Sequence, residues 1–477
     1  MQRHRRTKII STLGPASRSP EMIRKLILAG VNVFRLNFSH GSHEEHTETF
    51  NRVREASREL GIPIAVLQDL SGPKIRISEI DDQKKLLIDG QEVRLRFANG
   101  SQSNNDTIFV NLVNPCECLV EGNLVLLADG LIQLRTLSVT NEEVVCKIIK
   151  GGSLRSRVGI AFPDSELKLS ATTDKDLVDF EWGMKHGVDY AAISFVQNAA
   201  DVIRLKQIAS KNNNDVKIIA KIEVRAALKG IHEILEEADG IMVARGDLGV
   251  EVPIEQLPGI QRELISQANY VGKPVIVATQ MLHSMVNSLR PTRAEVVDCS
   301  NAVREGADAV MLSEETAIGQ NPVESVEYLS KIATEAEKSF NFDEYKYRLR
   351  DADRSSVPDA VAYAACAAAV KVEAAAIIAC TETGGTAKLM AKYRPQQALY
   401  AATRSEEAMR RMCLFWGVRP IAFDHTITHD DELDLALKEV QTLEKLPNGS
   451  KAVITGGLAV GKVGSTSVLE IREMTFS

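Results

Sequence analysis

Three features of the 477-residue chain predict an α/β protein, a (β/α)8 TIM barrel with an inserted all-β lid domain and a C-terminal open α/β domain. Apolar strand runs and amphipathic helix patterns alternate about eight times, the count of a closed barrel. The alternation stops after Gly72-Pro73, where short β-type runs separated by turn dipeptides take over. It stops again near Phe340, in a charged and irregular stretch that reads as a linker, and resumes from Asp359. The expected domain limits are 1–72 and 169–342 for the barrel, 73–168 for the lid and 343–477 for the C-terminal domain.

Lys8 to Ser11 reads as the first strand. Ser19-Pro20-Glu21 supplies an N-cap, a proline at the first helical position and an acid in the first turn. Val31 to Phe38 is the second strand, and Ser42-His43-Glu44-Glu45 is a capping box opening a helix that Gly61 closes. Ile62 to Leu67 is the third strand, ending in Gln68-Asp69. Within the insertion, Val93 to Phe97, Thr107 to Val110 and Leu124 to Leu127 are strands. Asp89-Gly90, Asn99-Gly100, Asp129-Gly130 and Gly151-Gly152 are turns.

The βα rhythm resumes with helix 173–186 and strand 189–196. It continues through helix 199–211, strand 216–222, helix 225–237, strand 240–244, helix 259–271, strand 274–279, helix 293–305 and strand 308–313, and ends on a helix from about Val323. Runs as apolar as Pro274 to Ala278 need cover on both faces. After the linker the pattern predicts an Ala-rich helix, strands 374–379, 398–402 and 451–455, and helices 386–392, 405–415 and 431–444.

Composition excludes several classes. Lys plus Arg is 57 and Asp plus Glu is 64, a net charge of −7. A mildly acidic chain has no global field for nucleic acid or an anionic membrane. The most apolar stretch, Val361 to Cys380, is interrupted by Lys371 and Glu373, short of the roughly 18 uncharged residues of a membrane span. The basic start, Arg3 to Arg6, has no apolar run behind it, so no signal peptide is expected. Seven scattered cysteines suit reduced thiols in a cytoplasm.

Chemistry in a barrel sits where strands end. Here those ends are polar in series: Arg35, Asn37 and Ser39, then Asp69, Lys221 and Glu223, Arg245-Gly246-Asp247, Thr279-Gln280, and Ser313. A single polar end is commonly a helix cap, but an inward Lys and Glu two apart are costly unless paired or liganded. Glu223 and Asp247 are hard oxygen donors suited to Mg²⁺. Arg35, Arg76 and Lys221 suit phosphate, and Gly246 permits close approach of its backbone N–H. Metal and cations together are apparatus for phosphoryl transfer.

The strings Arg35-Leu36-Asn37-Phe38-Ser39-His40-Gly41, Ile218 to Glu223, Met242 to Gly249, Ala278 to Met281, Pro291 to Glu295 and Met311 to Thr316 resemble the pyruvate kinase family over essentially the whole chain. The resemblance implies transfer of the phosphoryl group of phosphoenolpyruvate to ADP, giving pyruvate and ATP at the last step of glycolysis. It implies Arg35, Lys221 and Thr279 as catalytic residues, with Gly246 and Asp247 joining them on the substrate. It places Asn37, Phe38, Ser39, His40 and Arg76 on the nucleotide side, and Mg²⁺, or Mn²⁺ in its place, on Glu223 and Asp247. A homotetramer regulated by a phosphorylated effector is also implied, together with a lid that excludes water. A rival barrel lyase or mutase has no need of the nucleotide-side strand end, and a sensor without catalysis would have lost Lys221, Glu223, Asp247 or Thr279.

Four departures from the family pattern stand out. His283 replaces an acid, Glu314 a small residue, and Arg157 lies one position before the usual lid lysine. The fourth concerns a monovalent-cation pocket at Asn37, Ser39, Asp69 and Leu70. Leu70 offers no side-chain oxygen, and Lys74 stands where K⁺-dependent relatives have an acid. Lys74 is therefore expected to substitute for K⁺, which is not required. In the C-terminal domain Thr381, Thr383, Gly384, Gly385 and Thr386 form an anion-binding loop at a helix start, with Gly461 to Thr466 as a second wall. His40, His43 and His46 lack evident metal partners, Thr292 to Glu295 reads equally as a capping box, and Asn448-Gly449-Ser450 as a turn.

Overall fold

The computed structural model describes residues 5–80, 84–104, 106–165, 169–349, 356–422, 429–457 and 466–475. Eight parallel strands close into a barrel: β1 Lys8–Leu13, β2 Val33–Asn37, β3 Ala65–Asp69, β4 Tyr190–Ile193, β5 Lys217–Ile222, β6 Gly240–Ala244, β7 Val275–Ala278 and β8 Ala309–Leu312. β1 pairs with both β2 and β8, so no edge is left. All of β3, β4, β6, β7 and β8 is buried, as strands covered by helices outside and side chains inside must be.

The capping chemistry read from the sequence is realised. Ser19 caps helix Pro20–Ala29, and Ser42 with Glu45 forms a reciprocal capping box on His43–Leu60. Thr292 and Glu295 form another on Arg293–Glu305, and Glu295 also accepts from Ser284 N at 2.7 Å, so its role is structural. One expected helix, 225–237, is broken at Gly230 into Arg225–Lys229 and Ile231–Glu237.

The insertion is all-β apart from one turn of helix, Pro115–Cys118. Its six-stranded sheet runs in the order Ile160–Ala161, Leu124–Leu127, Ile132–Val139, Val144–Lys150, Glu92–Phe97, Thr107–Val110, around a core including Leu95, Val125, Leu134 and Ile148. Gly72 makes the departure from the barrel possible. It has φ +66°, and a Cβ there would lie 2.8 Å from Ser194 Cβ and from the Phe195 ring.

The C-terminal sheet holds Val418–Ala422, Ala398–Thr403, Ala376–Cys380, Lys451–Gly457 and Thr466–Glu473 in that order, the last antiparallel. The pattern missed both edge strands. Val418–Ala422 carries Pro420, which only an edge accepts. The stretch taken as a linker is packed: Phe342–Arg348 is helical, and Phe340 and Tyr345 are buried, with the Tyr345 hydroxyl donating to Lys392 O at 2.9 Å.

This connector and the C-terminal domain cover the N-terminal end of the barrel. Arg394, buried over Trp416, pairs with Asp308 at 2.8 Å, Tyr190 donates to Arg411 O at 2.6 Å, and Lys8 donates to Val418 O at 2.6 Å. The opposite end, where β2, β3 and β5 terminate in polar residues, stays open toward the lid. No helix among the described residues is long and apolar enough to cross a membrane.

Candidate active site

Arg35 and Asp69 lie on adjacent strands, where pairing of β2 and β3 sets Arg35 against Leu67 and Asn37 against Asp69. The buried Asp69 carboxylate joins two cations: Oδ2 accepts from Arg35 Nε at 2.6 Å and Oδ1 lies 3.2 Å from Lys221 Nζ. Lys221 Nζ also lies 2.9 Å from Glu223 Oε1 and donates to Ser194 Oγ at 2.7 Å. Ser194 Oγ in turn donates to Leu70 O at 2.7 Å, and Arg35 donates to Thr12 Oγ1 at 3.1 Å. Glu223 Oε2 accepts the Phe195 N–H at 2.8 Å.

The charges hold one another in place. Burial raises the Asp69 pKa, but Lys221 and Arg35 more than offset it and leave it lowered. Burial alone would lower that of Lys221, and the Asp69 and Glu223 carboxylates reverse this, so the ammonium persists. Glu223 is raised, first by burial and then, against the pull of Lys221, by the nearby Asp247 carboxylate. Glu223 and Asp247 both line one cavity of about 540 Å³ between lid and barrel, walled by Pro73, Lys74 and Phe162. Two hard carboxylates facing one cavity fit a divalent cation that keeps waters and shares substrate oxygens.

Lys74 is partly exposed but does not end free in solvent. It crosses from the lid connection to the barrel and pairs with Asp247 Oδ1 at 3.0 Å. Leu70 is buried in the barrel core and brings no side-chain oxygen. Asn37 Oδ1 accepts the Ser39 N–H at 3.1 Å, and His46 Nε2 bonds His40 O at 2.8 Å. Phe38 is buried and stacked on His46 with centroids 4.0 Å apart, so its ring packs rather than faces the cleft. His43 pairs with Asp179 at 2.7 Å. Among the described residues no cluster of three or more His, Cys, Asp or Glu forms a metal site.

Thr279 stands directly after β7 in the left-handed region at φ +70°, followed by Gln280 at +52°. Such backbone costs on the order of 1–3 kcal/mol per residue and is found at sites the surroundings over-determine. Thr279 Oγ1 accepts the Gly246 N–H at 2.8 Å and donates to Ala278 O at 2.6 Å. Gly246 and Asp247 lie in a short helix, Arg245–Glu251, that the pattern did not predict.

The remaining departures take definite positions. His283 Nδ1 lies 3.4 Å from Glu314 Oε2, so two unusual residues pair with each other at the starts of two adjacent short helices, His283–Val286 and Glu314–Ala317. Both are exposed, and such pairs contribute little. Arg157 turns to Glu79 within the lid at 2.6 Å, while its carbonyl accepts from Arg76 Nη1 at 2.9 Å. In the C-terminal loop, Thr381 Oγ1 accepts the Gly384 N–H at 3.0 Å, and the buried Thr386 hydroxyl bonds Thr466 Oγ1 at 2.6 Å. Thr466 thereby joins the two walls, while Gly461 to Ser465 lie outside the described residues.

Sequence reasoning missed Ser194, Phe195 and Thr12 as supports of the site, and placed Arg245 at a strand end without giving it a role. Ser194 carried a signal: it is a hydroxyl at the end of an otherwise apolar run, Tyr190 to Ile193.

A closed βα barrel whose strand ends gather an arginine, a lysine and two cavity-facing carboxylates beneath a β lid defines a phosphoryl-transfer barrel enzyme. The family models sharpen that class: the pyruvate kinase barrel domain matches residues 4–326 and the pyruvate kinase alpha/beta domain residues 359–472. The chain is 41% identical to the pyruvate kinase of Staphylococcus saprophyticus over 476 residues, covering 98% of this chain and 80% of that one. It is likewise 41% identical to that of Sporosarcina psychrophila over 474 residues, with the same coverage. The chain belongs to the pyruvate kinase family and is a phosphotransferase.

Proposed function

We propose that this chain transfers the phosphoryl group of phosphoenolpyruvate to ADP. The bond between phosphorus and the enol oxygen breaks, a new bond forms to the β-phosphate of ADP, and the enolate carbon takes up a proton to give pyruvate. The carrying observation is the buried chain Arg35–Asp69–Lys221–Glu223 at the ends of β2, β3 and β5. Lys221 is held charged, and both it and Arg35 are oriented before substrate arrives, so little reorganisation is needed as charge moves.

In this reading Arg35 and Lys221 grip the phosphoryl group. Thr279, with the Gly246 and Asp247 amides, takes the substrate carboxylate and lies on the path of the proton. The Thr279 hydroxyl and the Gly246 amide, now bonded to each other, re-aim toward that carboxylate. Glu223 and Asp247 would hold Mg²⁺, or Mn²⁺, which neutralises charge on substrate oxygens when bound. Asn37, Ser39, His40 and Arg76 flank the nucleotide. The lid excludes water, a competing phosphoryl acceptor. Lys74, seated at Asp247, supplies a fixed positive charge that makes K⁺ unnecessary.

The same reading makes the protein a cytoplasmic glycolytic enzyme, tetrameric and modulated by a phosphorylated effector at Thr381 to Thr386. Its test is a coupled assay of pyruvate formation from phosphoenolpyruvate and ADP with and without Mg²⁺. ADP-dependent pyruvate appearing with Mg²⁺ alone supports it, and pyruvate formed without ADP, or none, refutes it.

A further inference from the structure

Thr279 and Gln280 both occupy left-handed backbone, which a β-branched residue rarely adopts. Something outside the turn must hold it there, and the contacts identify the group. The Arg245 side chain, only 11% exposed, donates from Nη2 to Thr279 O at 2.7 Å and from Nε to Ala278 O at 3.3 Å. These carbonyls belong to the two peptide units that flank the Thr279 Cα. The guanidinium is itself fixed from behind. Nη1 meets Asp298 Oδ2 at 2.7 Å and Gln261 Oε1 at 3.4 Å, each on a different helix behind the barrel.

We infer that Arg245 is a positioning residue for the reaction, bracing the strained Thr279–Gln280 turn so that the Thr279 hydroxyl faces the substrate. The inference rests on the role given to Thr279 above. The buried Arg245 guanidinium spends its donors on Thr279 O, Ala278 O, Asp298 and Gln261, so it acts through Thr279 rather than on substrate. The geometry needs a planar fork: one edge reaches two successive carbonyls while the other reaches Asp298. A lysine ammonium cannot span both. A side chain released by about 1 Å from its productive place loses about 10²-fold in rate.

The test uses the full chain, with kcat, KM for phosphoenolpyruvate, and exchange of the pyruvate methyl hydrogens with deuterated water in the presence of Mg²⁺ and ATP. Thr279→Ala sets the reference. Arg245→Met is expected to lower kcat and the exchange rate together by about 10²-fold, with KM changing less than about threefold. The double variant Arg245→Met/Thr279→Ala is expected to be no slower than Thr279→Ala, because both remove the same function. Arg245→Lys stays impaired, and added guanidinium restores part of the exchange in Arg245→Ala. Asp298→Asn keeps the fold and shows the same pattern at about tenfold. Arg245→Met or Asp298→Asn with wild-type kcat and exchange, or multiplicative losses in the double variant, would overturn the inference. Thr279→Ala at full rate would instead overturn the underlying role of Thr279.

Discussion

Asp69 lies between Arg35 and Lys221 and binds each with a different oxygen, at 2.6 Å and 3.2 Å. The carboxylate is 1% exposed, so it serves no solvent-facing purpose. Its work is to keep Lys221 charged and to hold the two cations a fixed distance apart. Without it, burial and the neighbouring Arg35 would both disfavour the charged form of Lys221.

Lys221→Met is expected to lower kcat by 10²–10³-fold or more, since it removes charge stabilisation at the transferring group. It also leaves Asp69 and Glu223 buried beside one another with less compensation, so stability falls by about 3 kcal/mol. Steady-state kinetics and urea unfolding check both. Near-normal kcat in Lys221→Met would contradict the assigned role.

Asp247→Ala is expected to abolish the Mg²⁺ response. Because Lys74 pairs with Asp247, the same substitution frees the lid connection, and proteolytic cleavage between lid and barrel is expected to accelerate. Wild-type Mg²⁺ saturation in Asp247→Ala would exclude it as a ligand.

Turnover with Mg²⁺ in a K⁺-free, tetramethylammonium-balanced buffer is expected to match that with K⁺. Lys74→Glu is expected to become partly K⁺-dependent, more fully when combined with Leu70→Thr, which restores a side-chain oxygen. Strong K⁺ activation of the wild type would refute the substitution of Lys74 for the ion.

Sugar mono- and bisphosphates are expected to shift phosphoenolpyruvate saturation, and Thr383→Ala is expected to weaken that shift. Thr386→Ala is a less clean probe, because the buried Thr386 hydroxyl also holds Thr466. Unchanged saturation curves with every compound would rule out the effector loop.

Lys8 offers a pH test of the contact between barrel and C-terminal domain. Burial pushes its ammonium from 10.5 down to about 8. Between those values the folded chain binds fewer protons than the unfolded one, so stability rises with pH across that window. The contribution of Lys8 to that rise is about 3 kcal/mol. The difference in urea midpoint between wild type and Lys8→Met is expected to change steadily from pH 8 to 10, and a constant difference would contradict the depressed value.

Much of the architecture is set by short-range pattern. Helices 199–211 and 293–305 and strand 240–244 fall where capping residues, glycines and apolar period put them. The polar strand ends were equally legible, because two-residue spacing fixes which face Lys221 and Glu223 share. The edge strands Val418–Ala422 and Thr466–Glu473 were not, since an edge needs no strong apolar signal and takes its order from the neighbour it pairs with.

By itself, the sequence determined the barrel, the insertion, the C-terminal sheet and the identities of the chemical groups, because caps, turns and periodicity act within a few residues. Only the tertiary structure decided which groups meet: Lys74 with Asp247, Arg245 with the Thr279 carbonyl and Asp298, His283 with Glu314, and Asp69 with Arg35 and Lys221. Those partners lie on separate elements that barrel closure and the return of the lid bring together. A hydrogen bond is satisfied within about 3 Å regardless of separation along the chain, and no local pattern records that distance.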